Sequence, residues 1–133
     1  MLALQRELIE RLRDDGDIEA LVGVRVYDVP PDKAVFPYVR LGNIILTPVR
    51  TDGRMAWDLT FSIESHSRAM AGRVEATEIG EAVVAALDNQ HRMIGVIGFR
   101  LAWVQFITAT VVRADDGKSH SATAAFDAVL DVC

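Results

Sequence analysis

The decapeptide "WDLTFSIESH", residues 57–66, constrains this chain most. Trp57, Leu59, Phe61 and Ile63 alternate with Asp58, Thr60, Ser62 and Glu64. A helix turning about 100° per residue would scatter these apolar side chains around its circumference. A strand, with a period of two, collects them on one face. The segment therefore reads as a half-buried antiparallel strand, and the rest of the chain has to supply a sheet and a cover for one side of it.

Two segments are suited to be that cover. Leu4, Leu8 and Leu12, with Ile9 beside them, make one apolar stripe on a helix over residues 2–14. "DDGD" ends it, with Gly16 suited to a left-handed C-terminal position and Asp17 to capping a short turn, "IEALV", before Gly23. The second helix is "SRAMAGRVEATEIGEAVVAALDNQ", residues 67–90, with Ser65 or Ser67 near its N-cap. Gly72, Ala76, Ile79, Gly80, Val83 and Leu87 share one face of it; Glu78, Glu81 and Asp88 fall on the opposite face. The apolar face is small in its first half, which allows close approach of another backbone.

The remaining strands are "VRVYDV" (24–29), "PYVRLGNIIL" (37–46) and "RLAWVQFITATVVR" (100–113). "PPDKAVF" between the first two is a loop, since proline has no ladder donor. "TPVRTDGR" (47–54) reads as a hairpin loop or flexible arm, punctuated by Pro48 and Asp52-Gly53. "HRMIGVIGF" (91–99) is a connector with a short strand. The close, "VVRADDGKSHSATAAFDAVL" (111–130), is two strands joined at Asp116-Gly117. Its second arm has a row of Ser119, Ser121, Thr123 and Ala125, free to face solvent or a neighbour. Its other row, Ala122, Ala124, Phe126 and Ala128, is small enough to let the helix of residues 67–90 lie close. Ala124→Leu should then overpack that contact by about 1–3 kcal/mol.

The order α-β-β-β-α-β-β, with hairpins and no βαβ repeat, implies an α+β fold. Its antiparallel sheet has four to five strands, with two main helices packed on one face. The 133 residues form one domain, with an arm or long hairpin at 43–56.

Composition narrows function mainly by exclusion. Half the residues are hydrophobic, so a disordered chain is not expected. The net charge of −5 disfavours binding nucleic acid over the whole surface. Of the 14 positive residues only Lys33 and Lys118 are lysine, and the abundant arginines suit interfaces. No run approaches the ~18 apolar residues of a membrane span. Arg6 and Glu7 interrupt the N-terminal apolar run, so a standard signal peptide is not expected and synthesis is expected to be cytoplasmic. The only cysteine, Cys133, has no internal partner.

No catalytic constellation emerges. His66, His91 and His120 stand near element ends without ligand spacing and read as exposed side chains. "GVIG" (95–98) lacks the spacing and the lysine of a phosphate loop. The pairs Asp14-Asp15 and Asp115-Asp116 occur where turns are expected. No enzyme activity, metal or cofactor is therefore expected. The unusual features are a small helix face, an Ala-rich last strand, many arginines and the apolar-tipped arm "NIILTPVRTDGRM", all of which suit contact between protein surfaces.

In order, these segments resemble the tail-completion (tail-terminator) proteins of phages, the gp17-like group also found in gene transfer agents. The matching pieces are the Leu-rich first helix, "DIEALVGVRVYDV", "FPYVRLG", "WDLTFSIESHSR", the helix ending "AVVAALDN", and "RADDGKSHSATAAFDAVLDV" with Arg113 and Phe126. Gln105, polar in the middle of a strand, and the lean "SATAAF" depart from the expected pattern. The resemblance implies a structural protein that forms a ring, of six copies, on the head-proximal end of a tail tube. The ring would end tube polymerisation and join tail to head, with DNA crossing its lumen. Its partners would be sister copies, the major tail tube protein and a head–tail connector or stopper, with no membrane. After assembly in the cytoplasm it would reside at the head–tail junction of a particle.

Two other readings remain at this level. One is a small dimeric ligand-binding protein or enzyme subunit with a pocket lined by Trp57, Trp103 and Phe106. The other is an adaptor that adds a strand to a partner's sheet. Under the assembly reading, Ile45, Leu46, Val49, Arg50 and Arg54 of the arm are the partner-contact candidates, unless Ile44, Ile45 and Leu46 enter this chain's own core. Glu78, Glu81 and Asp88 are candidates for a lumen or interface surface.

Overall fold

A computed structural model describes residues 2–51, 53–68, 73–113 and 118–132. The helices are α1 (Leu2–Asp14), α2 (Gly16–Val22) and α3 (Val74–Leu87). The strands are β1 (Val26–Tyr27), β2 (Tyr38–Thr51), β3 (Arg54–Ser67), β4 (Phe99–Arg113) and β5 (His120–Val132). One 3-10 turn, His91–Met93, leads into β4. The sheet order is β1-β2-β3-β5-β4. All neighbours are antiparallel except β1 and β2, which run parallel through Val26↔Val39 and Tyr27↔Arg40. The fold is α+β, as the element order implied, with one parallel pair added at the edge.

The crossover through α3 carries the chain from β3 to the far edge, where β4 lies. β5 then returns between them and is paired on both sides. Leu4, Leu8 and Leu12 of α1, Ile18 and Val22 of α2, and Ile79, Val83 and Leu87 of α3 join the inward residues of the sheet in one buried cluster. Arg11 fastens α1 to α3 by donating from Nε to the Ala86 carbonyl at 3.1 Å.

Several local expectations change. Gly16 opens α2 and does not close α1. Asp15 is the cap, its carboxylate accepting from the backbone N–H of Asp17 and Ile18 at 3.0 and 3.1 Å, so Asp17 lies inside the helix. Ser65 and Ser67 belong to β3, and the residue preceding α3 is Arg73. The segment 24–29 contributes only two ladder residues, because Val24 and Val29 lie outside the pairing and are exposed.

The largest change concerns 47–54. No loop forms there: β2 and β3 stay paired to Thr51↔Arg54, leaving a two-residue connection in which Gly53 has φ +78°. A glycine tolerates that left-handed angle without strain, which suits a tight hairpin. Pro48 fits within β2 because β1 covers only Val39 and Arg40. Beyond them the outer edge of β2 carries no other strand among the described residues. A bulge between Leu41 and Ile44 separates the packed half of β2 from its projecting half. Gly42 sits in this bulge, where a side chain would run into the Ser62 hydroxyl and stand 3.1 Å from the Ser62 carbonyl.

Strand β3 keeps the expected alternation, with Leu59, Phe61 and Ile63 buried. In β5 the buried row is Ala122, Ala124, Phe126, Ala128 and Leu130. What lies on it is α3 of the same chain: a Cβ added at Gly80 would be 3.2 Å from the Ala122 Cβ. Gly72 and the Asp116-Gly117 turn lie outside the described residues. Ser121, Thr123 and Ala125 are half-buried on the opposite face, but Ser119 is buried and its hydroxyl is 2.9 Å from Arg68 Nε. His120, paired with Ser67 and Arg113, is also buried, against expectation. His66 is half-buried, stacked on Tyr38 at 4.9 Å.

Candidate assembly surfaces

Three surfaces stand out among the described residues. The first is the tip of the β2–β3 hairpin. Ile44 is partly buried against the core, whereas Ile45, Leu46, Val49 and Met55 are exposed, Ile45 to 60%. Arg50 is exposed beside them, and Arg54 opens β3 opposite Thr51. Of the alternatives for this arm, Ile44 thus packs against the core, while Ile45, Leu46, Val49, Arg50 and Met55 project.

The second surface is a groove between α3 and the edge strand β4. Thr77, Gly80, Glu81 and Val84 form one wall; Phe106, Ala109 and Val111 form the other, over a floor of Ala122 and Ala124. Its volume is about 310 Å³. Small residues make it: Gly80 and Ala122 bring helix and strand together, and Ala109 and Ala124 then leave space beside them. One end is fastened where the Asn89 N–H donates to the Val104 carbonyl at 3.0 Å and the Phe106 N–H donates to Asp88 Oδ1 at 2.9 Å. Asp88, expected on the acidic helix face, is therefore engaged within the chain, just past the last turn of α3. Glu78 and Glu81 are exposed on α3. The α3 sequence holds three glutamates and no basic residue.

The third surface is the sheet face opposite the helices. It presents Asp58, Thr60, Ser62 and Glu64 of β3, Ser121, Thr123, Ala125 and Asp127 of β5, and Gln105, Thr108 and Thr110 of β4. Gln105, unexpected in a strand, belongs to this polar side and pairs with Asp127. Partial burial raises Asp127 above the ordinary carboxylate range, and Asp58, hydrogen-bonded to it and like-charged, raises it further. A raised folded-state value means that the folded chain holds this proton more tightly. Stability from Asp127 is then greatest below the ordinary value of 3.8 and falls as pH rises toward the folded value. Asp127→Asn should accordingly raise the melting temperature at pH 7 and give no gain at pH 3; paired thermal melts check this.

The three aromatic side chains proposed for a ligand pocket do not converge. Trp57 pairs with Leu130 on the helix side of the sheet and packs on the core. Trp103 pairs with Val129 on the other side, and only Phe106 lines the groove. No group of three or more His, Cys, Asp or Glu residues is arranged to hold a metal among the described residues. No described helix is long and apolar enough to cross a membrane.

A projecting apolar hairpin and an open apolar groove are surfaces suited to contact with other chains. The family of tail completion protein gp17 matches residues 6–131. The chain belongs to this family. It is a structural component of a phage tail or tail-like particle by that membership. Among solved structures, a chain from the "virion of native gene transfer agent (GTA) particle" is 28% identical, with a TM-score of 0.87 over 96% of this chain and 94% of that one. Among curated proteins none matches. The groove was missed in the sequence because it is made by spacing: Phe106, Ala109 and Val111 are read as ordinary strand residues until β4 is known to be an edge.

Proposed function

We propose that six copies of this chain close into a ring at the head-proximal end of a tail tube, end its polymerisation and join tail to head. The agreement from end to end with a chain of a gene transfer agent virion, within a tail completion family, carries this proposal. Such a ring uses a heterologous interface, in which one patch meets a different patch on the next copy and the rotation closes. Each junction needs on the order of 1,000 Å² of buried surface. The ring meets the major tail tube protein on one side and a connector or stopper on the other. At −5 per chain, six copies carry about −30, and acidic residues at the lumen would let DNA pass without adhering. The protein is made in the cytoplasm and ends at the head–tail junction of the particle.

Deleting its gene in a particle-producing strain should leave heads without joined tails and tubes of irregular length under the electron microscope, with transfer or infection abolished. Complete, competent particles from that strain would remove the proposal. Native mass spectrometry of the protein released from particles should give a species of six times 14.6 kDa, about 88 kDa.

A further inference from the structure

We propose that the groove between α3 and β4 receives the β2–β3 hairpin tip of the next copy, which makes this pair of surfaces the junction of the ring; the inference rests on the ring assembly proposed above. The two surfaces match in polarity. The groove is apolar along Gly80, Val84, Phe106, Ala109 and Val111. The hairpin tip offers Ile45, Leu46, Val49 and Met55, exposed side chains that this chain's own core does not take up.

Charge selects this occupant over an arbitrary apolar one. Glu81 lies on the helix wall of the groove and Glu78 one turn before it on α3, both exposed, with no basic residue on α3 to offset them. Residues 43–56 of the hairpin carry Arg50 and Arg54 against a single acid, Asp52. An arginine beside an apolar knob, meeting a glutamate beside an apolar groove, fixes register and penalises the reversed pairing, in which like charges meet. The edge position of β4 adds a reason for a cover. From Gln105 to Thr110 it is exposed, and it has a partner strand on one side alone among the described residues. An exposed strand edge of that kind presents unpaired backbone groups and is a site of association unless something occupies it. Hairpin and groove are different surfaces of one chain. Pairing them between copies is therefore head-to-tail, the arrangement a closed ring requires.

A charge-swap experiment tests the pairing. One variant carries Arg50→Glu and Arg54→Glu; another carries Glu78→Arg and Glu81→Arg; a third carries all four changes. Each two-site variant alone should stay folded by circular dichroism and lose the ring by native mass spectrometry. The four-site variant should regain it. An equimolar mixture of the two-site variants should also regain it, because each reversed hairpin then meets a reversed groove and each original hairpin an original one. The mixed ring should hold three copies of each. A cysteine pair, Val49→Cys with Ala109→Cys in a Cys133→Ser chain, should in addition give a covalent ladder between copies in oxidised particles.

Rings that persist unchanged in both two-site variants, with no cross-link, would overturn the hairpin–groove junction and leave the ring standing. Wild-type protein released from particles without any ring-sized species would overturn the ring and the junction together. A groove that still binds an apolar dye in intact wild-type rings would show that no hairpin fills it and likewise end the proposal.

Discussion

Phe126→Ala is expected to cost about 3–5 kcal/mol, the range for truncating a buried aromatic residue. Phe126 is fully buried on β5, with the Phe61 ring stacked on it at 5.2 Å and the Phe106 ring edge-on at 5.9 Å. Its place at the centre of the sheet makes this cost hard to relieve. β5 is paired with β3 and β4, and α3 covers the same face, so the backbones around the cavity are held apart. Domains of this size hold together by only about 5–15 kcal/mol. With a urea dependence of about 2 kcal/mol per molar, the unfolding midpoint should fall by about 2 M. Phe126→Leu, which keeps most of the volume, should lose much less. The measurement belongs at one fixed protein concentration, because assembly adds stability that depends on it. A Phe126→Ala midpoint equal to the parent's would mean that the stacked rings do not form the centre of the fold. The groove would suffer as well, since Phe106 forms part of its wall and rests on Phe126.

How far this could be read in the sequence depends on the kind of signal. Period-two alternation in 57–66 and the leucine spacing of α1 survive folding because the side of the chain that is apolar is the side that is buried. The buried row of β5 was legible for the same reason, and Gly80 against Ala122 is the close approach that its small side chains implied; Ser119, expected in the open row, is buried. Punctuation misled where its meaning depends on neighbours. Pro48 marks a break only if β2 needs an outer partner there, and it needs none. Asp15 took the cap from Asp17 by reaching two backbone donors at once. The parallel pairing of β1 is set by the path of the loop between Tyr27 and Tyr38, which carries no periodic signal. Of the site, the hairpin residues and the glutamates of α3 were visible as oddities. The groove that relates them was not, because it exists only once β4 is placed at the sheet's edge.

Ala122→Leu should destabilise by about 1–3 kcal/mol, through overpacking in place of a cavity. The helix stands so close at this point that even a single carbon on Gly80 would lie 3.2 Å from the Ala122 Cβ. A leucine brings three more carbons to that contact from the strand side. The pleat fixes the direction of its Cβ toward α3, and Ser65 and Val111 on the paired strands limit sideways relief. Either α3 lifts, or the side chain turns into the groove that Ala122 also lines. Lifting α3 loosens Ile79 and Val83 from the core, so stability falls. Ala124 lies two residues further along and also borders the groove, against Ala109. Its larger free space should make Ala124→Leu the milder change, contrary to what small side chains alone suggest. Urea midpoints should therefore rank parent, then Ala124→Leu, then Ala122→Leu. The opposite rank would place the tight contact elsewhere on α3. Both leucines narrow the groove, so both should also weaken ring formation, and Ala124→Leu should do so with the smaller loss of fold stability. That separation follows because one strand of small residues serves two contacts, an internal one through Gly80 and an open one beside Phe106.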